Sequence, residues 1–156
     1  MDKIYDVIIL GAGPSGLAAG IYAGRARLDT LLIEKGKDGG QIAITDEIEN
    51  YPGQMVDGES GPSLIERMTK QVEKFGAERV SDTIVSVDIE GPVKTLVGSN
   101  GTYKARTLII ATGAFPRPIG CKGEGEFMGK GVSYCATCDA SFFEGLEVFV
   151  VGGSEP

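Results

Sequence analysis

Three segments of the chain are continuously apolar and do not alternate with polar residues. They are "YDVIIL" at residues 5–10, "TLLIE" at residues 30–34 and "TLIIATG" at residues 107–113. A continuous run rich in β-branched residues is typical of a strand that is buried on both faces of a parallel sheet. The residues between the first two runs, up to about Ala26, predict a helix. This order of elements predicts an α/β fold with a parallel sheet.

The middle of the chain shows two other periodicities. The segment "GPSLIERMTKQVEKFG" predicts an amphipathic helix with Pro62 in its first turn and Gly76 as its stop. Its apolar positions lie on one face and are predicted to be core: Leu64, Ile65, Met68, Val72 and Phe75. Three short alternating segments follow, "TIVSVDI", "VKTLV" and "TYKAR", separated by Gly91-Pro92 and by Asn100-Gly101. They predict a three-stranded β-meander before the third buried strand.

A glycine-rich turn joins the first strand to the first helix. Residues 11–16, "GAGPSG", have the G-x-G-x-x-G pattern in the strand–turn–helix context that this pattern requires. Gly11 allows the tight turn, Gly13 lets a pyrophosphate approach the backbone, and Gly16 brings the helix close to the strand. The amides at the start of the helix then face the phosphates. The motif predicts a dinucleotide-binding site.

Two further features accompany this motif. Gly16, Gly20 and Gly24 recur at every fourth position and predict a bare helix face that packs tightly on the sheet. Glu34 ends the second strand eighteen residues after Gly16, where an acid accepts hydrogen bonds from ribose hydroxyls. A carboxylate there repels a 2′-phosphate, so the site is predicted to hold FAD or NAD rather than NADP.

Composition argues against several classes of function. The 156 residues carry a net charge of −7 and no run of lysine or arginine, which argues against a nucleic-acid surface. The apolar start of the chain leads into glycines without a cleavage site, and no stretch approaches the roughly 20 apolar residues of a membrane helix. We therefore expect a cytoplasmic protein with no membrane partner, in a compartment where a persistent structural disulfide is disfavoured.

Two of the three cysteines, Cys135 and Cys138, form a C-x-x-C motif that Asp139 follows directly. A zinc site usually needs four Cys or His ligands. The chain has no histidine, and Cys121 lies fourteen residues before Cys135 without matching spacing, so we expect no metal site unless ligands lie beyond Pro156. Redox chemistry suits a C-x-x-C at a helix start, because amide dipoles stabilise one thiolate and the second thiol resolves a mixed disulfide.

Four sequence elements together resemble one family. They are "GAGPSGLAAGIYAGRA", "GGQIAITDEIENYPG", "LIIATGAFPRP" and "GKGVSYCATCDASFFEG". In this order they resemble the N-terminal half of the low-molecular-weight thioredoxin reductases, flavoproteins with two dinucleotide-binding domains. The resemblance implies a Rossmann-like FAD-binding domain with a parallel sheet and a three-stranded β-meander over residues 1–115, whose completing C-terminal segment lies outside this chain. It also implies that residues 116–156 begin a second, NADPH-type domain that carries the redox C-x-x-C.

The resemblance also assigns residues to FAD. The ADP part would be bound by the fingerprint and by the end of the second strand, at Gly11, Gly13, Pro14, Ser15, Gly16, Glu34 and Lys35. The ribityl and flavin part would be approached by Gly40, Gln41, Thr45 and Asn50. A backbone group of Val80 would meet the adenine, and the end of the third buried strand would close over the cofactor through Ala111, Thr112 and Gly113. From the residues alone, Gly39-Gly40 is a flexible turn and residues 50–53 are a turn cluster.

The activity that the resemblance implies is a relay of electrons to thioredoxin. A donor reduces FAD, the flavin reduces the Cys135–Cys138 disulfide, and the dithiol reduces a thioredoxin disulfide. Cys138 would face the flavin and Cys135 would attack the substrate. Asp139 would move protons, a task for a carboxylate in a chain without histidine, or it would only cap a helix. Cys121 stands where the family tolerates an aliphatic residue, so we expect an inert small hydrophobe, and we expect a homodimer.

The last residues leave the electron donor open. "LEVFVVGGSEP" predicts the first strand of the second domain, which binds NADPH in the family, but Ser154 and Glu155 replace the bare turn of the expected fingerprint. Reduced ferredoxin, the donor of some members of the family, is therefore an alternative to NADPH. Two other functions also stay open, namely a disulfide reductase that serves a peroxiredoxin and a non-enzymatic flavin-binding redox sensor.

Overall fold

The computed structural model describes residues 3–45, 47–48, 50–54 and 57–153. Its strands are β1 (Ile4–Leu10), β2 (Thr30–Glu34), β3 (Glu78–Ser81), β4 (Ile84–Asp88), β5 (Lys94–Gly98) and β6 (Thr102–Ile110). Its α-helices are α1 (Pro14–Arg25), α2 (Gly61–Lys74), α3 (Glu124–Phe127) and α4 (Ala136–Asp139), and 3-10 turns span Gly40–Ile44 and Ala140–Phe143. The chain divides into two compact units, Met1–Gly113 and Ala114–Pro156.

The first unit is built on a six-stranded sheet with the order β3-β2-β1-β6-β5-β4. The strands β3, β2, β1 and β6 run parallel, whereas β6, β5 and β4 form an antiparallel meander. The central strand β1 pairs on both sides, with Ile8 opposite Leu31 of β2 and Leu108 of β6. The predicted α/β fold with a parallel sheet and a three-stranded meander is confirmed.

Strand β6 belongs to both parts of the sheet. Its residues 102–105 pair antiparallel with β5, and its residues 104–110 pair parallel with β1. The predicted separation of "TYKAR" from "TLIIATG" is therefore wrong. No glycine or proline lies between the two segments, so the chain continues as one strand while its neighbours change.

The edge strand β3 has no counterpart in the sequence predictions. It pairs parallel with β2, with Arg79 opposite Leu32 and Val80 opposite Ile33. Three of its four residues are exposed, and Val80 is half-buried. A short polar strand of this kind shows neither a continuous apolar run nor a clear alternation, so only its pairing with β2 reveals it.

Alternate strand residues enter two separate hydrophobic clusters, one on each face of the sheet. One cluster joins β1 and β2 to the helices through Val7, Ile9, Leu17, Leu32, Leu64, Ile65, Met68 and Val72. The other joins the parallel strands to the meander through Ile8, Leu31, Ile33, Leu96 and Ala105. The predicted core face of α2 is confirmed for four of its residues, whereas Phe75 is only half-buried.

Helix α2 packs closely on the glycine face of α1. A Cβ atom on Gly20 would contact the Val72 methyl groups at 3.4 and 3.5 Å, and one on Gly24 would lie 2.7 Å from the Phe75 carbonyl oxygen. The prediction that this face packs on the sheet is therefore wrong for Gly24, whereas Gly20 lies against both α2 and Ile9 of β1, the latter 3.9 Å from a Cβ on Gly20. The missing side chains of both glycines let the backbone of one helix approach the other.

The second unit contains the short helices α3 and α4, and the 3-10 turn follows α4. Residues 147–153 form no strand, and Val148, Phe149 and Val150 are exposed. The strand predicted from "LEVFVV" is therefore wrong, because a strand depends on a hydrogen-bonded neighbour and none of the described residues pairs with this segment. None of the helices in the described ranges has the length and apolar character that a membrane crossing requires.

Candidate functional site

Residues 11–16 form the tight turn between β1 and α1. Gly11 has φ +107°, a conformation that side chains rarely adopt, and its N–H donates to the Ile33 carbonyl at 2.8 Å. A Cβ on Gly11 would lie 2.3 Å from the Ala111 carbonyl oxygen, and one on Gly16 would lie 1.8 Å from the Gly11 carbonyl oxygen. These two glycines are therefore required by the backbone packed around them.

Gly13 differs from its two neighbours in the motif. It is the N-cap of α1, with φ −70° and ψ 178°, and a Cβ built on it meets no atom within 4 Å. The space in front of Gly13 is therefore open, next to the first amides of a helix, which have no partner within the helix itself. This is the arrangement that a pyrophosphate requires. The turn fits the diphosphate of FAD.

The Glu34 carboxylate lies at the end of β2 and is half-buried. Its Oε2 accepts a hydrogen bond from the Ala12 N–H at 2.8 Å, and its Oε1 accepts one from the Gly36 N–H at 3.1 Å. Each carboxylate oxygen can accept a second hydrogen bond, so the group retains capacity for a ribose hydroxyl. The two backbone donors hold the carboxylate beside the glycine-rich turn.

A second segment predicted to contact the cofactor lies against the same turn. The Gly39 N–H donates to the Ala12 carbonyl at 2.8 Å, and a Cβ on Gly40 would be 3.7 Å from the Gly13 Cα. Gln41 is exposed in the 3-10 turn, and Thr45 ends that turn with its hydroxyl donating to the Gln41 carbonyl at 3.3 Å. The structure thus brings the "GGQ" element next to the fingerprint.

Only some of the remaining residues predicted to bind FAD lie at the glycine-rich turn. Ala111 joins the turn, because its N–H donates to the Leu10 carbonyl at 2.8 Å, and Thr112 and Gly113 follow it as exposed residues. Pro14 and Ser15 begin α1, and Lys35 and Asn50 are exposed. Val80 lies in β3, and its side chain packs on the meander side of the sheet, away from α1. The described contacts bring neither Asn50 nor Val80 to the glycine-rich turn.

One ion pair beside Glu34 is absent from the sequence predictions. The Arg79 Nε donates to the Asp38 Oδ1 at 2.8 Å, and its Nη2 donates to the Gly36 carbonyl at 3.0 Å. The Thr69 hydroxyl donates to the other Asp38 oxygen at 3.4 Å. Arg79 and Asp38 are 41 positions apart in the sequence, so no local pattern connects them.

In the second unit, Cys135 is the N-cap of α4 and is disulfide-bonded. Its N–H donates to the Ser133 hydroxyl oxygen at 3.1 Å, and that hydroxyl donates to the Asp139 Oδ2 at 2.5 Å. The Asp139 N–H donates to the Cys135 carbonyl at 3.0 Å. Ser133 therefore links the Asp139 carboxylate to the backbone of Cys135. The side chain of Cys138 lies outside the described residues, as do Ser154 and Glu155.

Glu124 is a buried carboxylate in this unit that sequence reasoning missed. It accepts hydrogen bonds from the Ile119 N–H at 2.9 Å, from the Gly120 N–H at 2.6 Å and from the Tyr134 hydroxyl. Cys121, in contrast, is an exposed thiol that belongs to neither described hydrophobic cluster, and its inertness stays a prediction. Among the described residues, no three Cys, Asp or Glu side chains are grouped in a way that could hold a metal ion.

Comparisons with known proteins agree on one family. Residues 5–155 match the model of a family described as pyridine nucleotide-disulphide oxidoreductase. A thioredoxin reductase from Peptoclostridium litorale is 58% identical over 155 residues, which are 99% of this chain and 49% of that protein. The crystal structure of thioredoxin reductase from Streptococcus pyogenes MGAS5005 matches with a TM-score of 0.80 and 42% identity, over 92% of this chain and 46% of that one.

A further solved structure has ferredoxin in its name. The structure of a ferredoxin-flavin thioredoxin reductase from Clostridium acetobutylicum matches with a TM-score of 0.66 and 29% identity, over 93% of this chain and 50% of that one. The chain spans about half the length of the curated relatives it matches. Together the comparisons confirm the resemblance to the N-terminal half of thioredoxin reductases.

Proposed function

Because the chain belongs to the pyridine nucleotide-disulphide oxidoreductase family, we propose that it forms the N-terminal half of a flavin-dependent thioredoxin-disulfide reductase. The observation that carries this proposal is the open face of Gly13 beside the anchored Glu34 carboxylate. Residues 1–115 would form the N-terminal part of the FAD-binding domain, and residues 116–156 would begin the second domain, which carries the C-x-x-C. The active protein would be a homodimer.

The proposed FAD site is divided between the turn and the segments tied to it. FAD supplies reversible two-electron chemistry when it is bound. The turn would hold the diphosphate at Gly13 and through the N–H groups of Ser15 and Gly16, since Pro14 has no N–H. Glu34 would accept hydrogen bonds from the adenosine ribose. We propose nine further residues as neighbours of the cofactor: Lys35, Gly40, Gln41, Thr45, Asn50, Val80, Ala111, Thr112 and Gly113.

The proposed exchange with thioredoxin uses the two cysteines of the C-x-x-C. The Cys135 thiolate attacks one sulfur of the thioredoxin disulfide, forming a mixed disulfide and releasing a thioredoxin thiolate, which takes a proton. The Cys138 thiolate then attacks the Cys135 sulfur and releases the second thioredoxin thiolate, which is also protonated. The chain ends with a Cys135–Cys138 disulfide and thioredoxin ends as a dithiol, so two electrons have moved.

Asp139 is proposed as the group that supplies and removes these protons. In the oxidised form its Oδ2 accepts a hydrogen bond from the Ser133 hydroxyl, and Ser133 in turn accepts one from the Cys135 N–H. These contacts hold the carboxylate beside the dithiol segment. Since the chain contains no histidine, a carboxylate is the available acid–base group of the motif.

The electron donor is proposed to be NADPH or reduced ferredoxin. The similarity to a protein named ferredoxin-flavin thioredoxin reductase supports ferredoxin, as do Ser154 and Glu155 in place of a bare glycine turn. The family description, pyridine nucleotide-disulphide oxidoreductase, supports NADPH as the alternative. Anaerobic stopped-flow mixing of the full-length protein with each donor separates the two, because only the physiological donor is expected to bleach the flavin band rapidly at micromolar concentration.

Thioredoxin-dependent insulin reduction tests the activity as a whole. The full-length protein is assayed with oxidised thioredoxin and with each donor in turn. Cys135→Ser and Cys138→Ser are expected to abolish insulin reduction while retaining FAD, and Cys121→Ser is the matched control that retains both. A wild-type protein that holds FAD but reduces no thioredoxin with either donor would contradict the proposed substrate.

A further inference from the structure

We infer that the Arg79–Asp38 ion pair is a positioning element for the adenosine half of FAD, because it fixes the loop on which the orientation of Glu34 depends. The inference rests on the proposed function and deepens it. It assigns a specific binding role to two residues of β3 and of the loop after β2. Neither Arg79 nor Asp38 is among the residues proposed to contact the cofactor.

Gly36 is the residue through which the pair acts on Glu34. The Gly36 N–H donates to the Glu34 Oε1 at 3.1 Å, and the Gly36 carbonyl accepts from the Arg79 Nη2 at 3.0 Å. Gly36 is thus held on one side by the Glu34 carboxylate, which is proposed to bind the ribose, and on the other side by the Arg79 guanidinium. Arg79 also binds Asp38, two positions further along, so a single fork fixes two points of the same loop.

Packing does not bury residues 35–37 of this loop. A Cβ on Gly36 would meet no atom within 4 Å, and Lys35, Gly36 and Lys37 are exposed. The hydrogen bonds of Arg79 are therefore among the contacts that restrain the backbone at Gly36 and Asp38. The side chain of Asp38 is only 11% exposed and that of Arg79 is 34% exposed, so the pair is partly shielded from solvent.

The expected effect is on binding rather than on folding. A partly exposed ion pair contributes little to the free energy of unfolding, so the urea midpoint is expected to stay close to that of wild type. Release of the loop would let Gly36 move away from the Glu34 Oε1, and the carboxylate would lose one of its two backbone donors. The ligand would then have to order the loop when it binds, which weakens affinity for any ligand that carries the adenosine ribose.

Binding of FAD and of ADP by the full-length apoprotein tests the inference. ADP carries the adenosine and diphosphate but no flavin, so Arg79→Gln is expected to raise the dissociation constants of FAD and ADP by the same factor, roughly fivefold to tenfold. Asp38→Ala releases the pair from the other side and is expected to act in the same direction. Arg106→Gln is the matched control, because exposed Arg106 pairs with Asp6 at 3.8 Å, away from this loop.

The outcomes separate this inference from the proposed function. A urea midpoint for apo Arg79→Gln close to that of the control, with FAD and ADP weakened equally, supports the positioning role. Unchanged affinities would overturn the inference while leaving the FAD site intact. A lowered midpoint with FAD weakened more than ADP would also overturn it, because that pattern indicates general damage. A wild-type protein that binds neither ligand would overturn the FAD site and the inference with it.

Discussion

Replacing Gly16 with alanine tests how tightly the glycine-rich turn is packed on α1. The added Cβ would lie 1.8 Å from the Gly11 carbonyl oxygen and 2.9 Å from its carbonyl carbon. Both atoms belong to the backbone, which cannot rotate away as a side chain would. Gly20 is the matched control in the same helix, because a Cβ there would meet Val72 and Ile9 side-chain atoms at 3.4–3.9 Å, which is ordinary contact.

The expected change in the free energy of unfolding follows from two opposing contributions. Alanine is more favourable than glycine in a helix interior by about 1 kcal/mol, and this gain applies to both variants. Overpacking costs about 1–3 kcal/mol, and a contact of 1.8 Å with backbone places Gly16→Ala at the upper end. We therefore expect Gly16→Ala to lose roughly 2 kcal/mol of unfolding free energy and Gly20→Ala to gain up to roughly 1 kcal/mol.

Urea unfolding of the full-length protein without FAD measures this difference. Because FAD is absent, the midpoint and slope report the stability of the protein without a contribution from ligand binding. Gly16→Ala should unfold at a lower urea concentration than wild type, and Gly20→Ala at the same or a higher one. If Gly16→Ala were as stable as Gly20→Ala, the close approach of α1 to the Gly11 carbonyl would be refuted.

Three further predictions concern other parts of the chain. Burial alone would raise the pKa of Asp82, but hydrogen bonds from the Tyr103 hydroxyl and from backbone N–H groups outweigh it and lower the pKa. The contribution of Asp82 to stability is therefore present above the ordinary aspartate pKa of about 3.9 and is lost as pH falls through the lowered pKa of the folded state. Tyr103→Phe should reduce this loss of stability in urea midpoints measured from pH 6 to 3. Glu124→Ala should increase hydrogen exchange at the Ile119 and Gly120 amides, which donate to this carboxylate, and unchanged protection would contradict the contact. Differential alkylation should find Cys135 joined to Cys138 and Cys121 as a thiol, and a disulfide from Cys121 to either partner would contradict this pairing.

The elements that the sequence predicts correctly are those whose cause is local. Residues that lie close together in the sequence determine the apolar runs of β1 and β2, the amphipathic face of α2 and the spacing of the glycine-rich turn. Their positions follow from burial and from the space that a side chain would occupy. The same local chemistry predicts Glu34 beside the turn, and the structure places its carboxylate on the Ala12 N–H.

The elements that the sequence does not predict depend on distant partners. The short strand β3 exists because β2 offers it a pairing edge, and β6 is continuous because its neighbours change on either side. The contact of Gly20 with Val72 requires two helices to meet. The Arg79–Asp38 pair joins residues 41 positions apart, which becomes visible only when β3 is in place.

Titration of the full-length apoprotein with FAD, compared between wild type and Gly13→Ala, tests the central claim most directly. A Cβ on Gly13 meets no protein atom within 4 Å, so the variant should fold normally, yet the methyl group would enter the space assigned to the diphosphate. We predict one FAD per wild-type chain and at least about tenfold weaker binding by Gly13→Ala, or ~1.4 kcal/mol, with closely similar urea midpoints. Equal affinities, or a wild-type protein that binds no FAD, would contradict the assignment of this turn as the cofactor site.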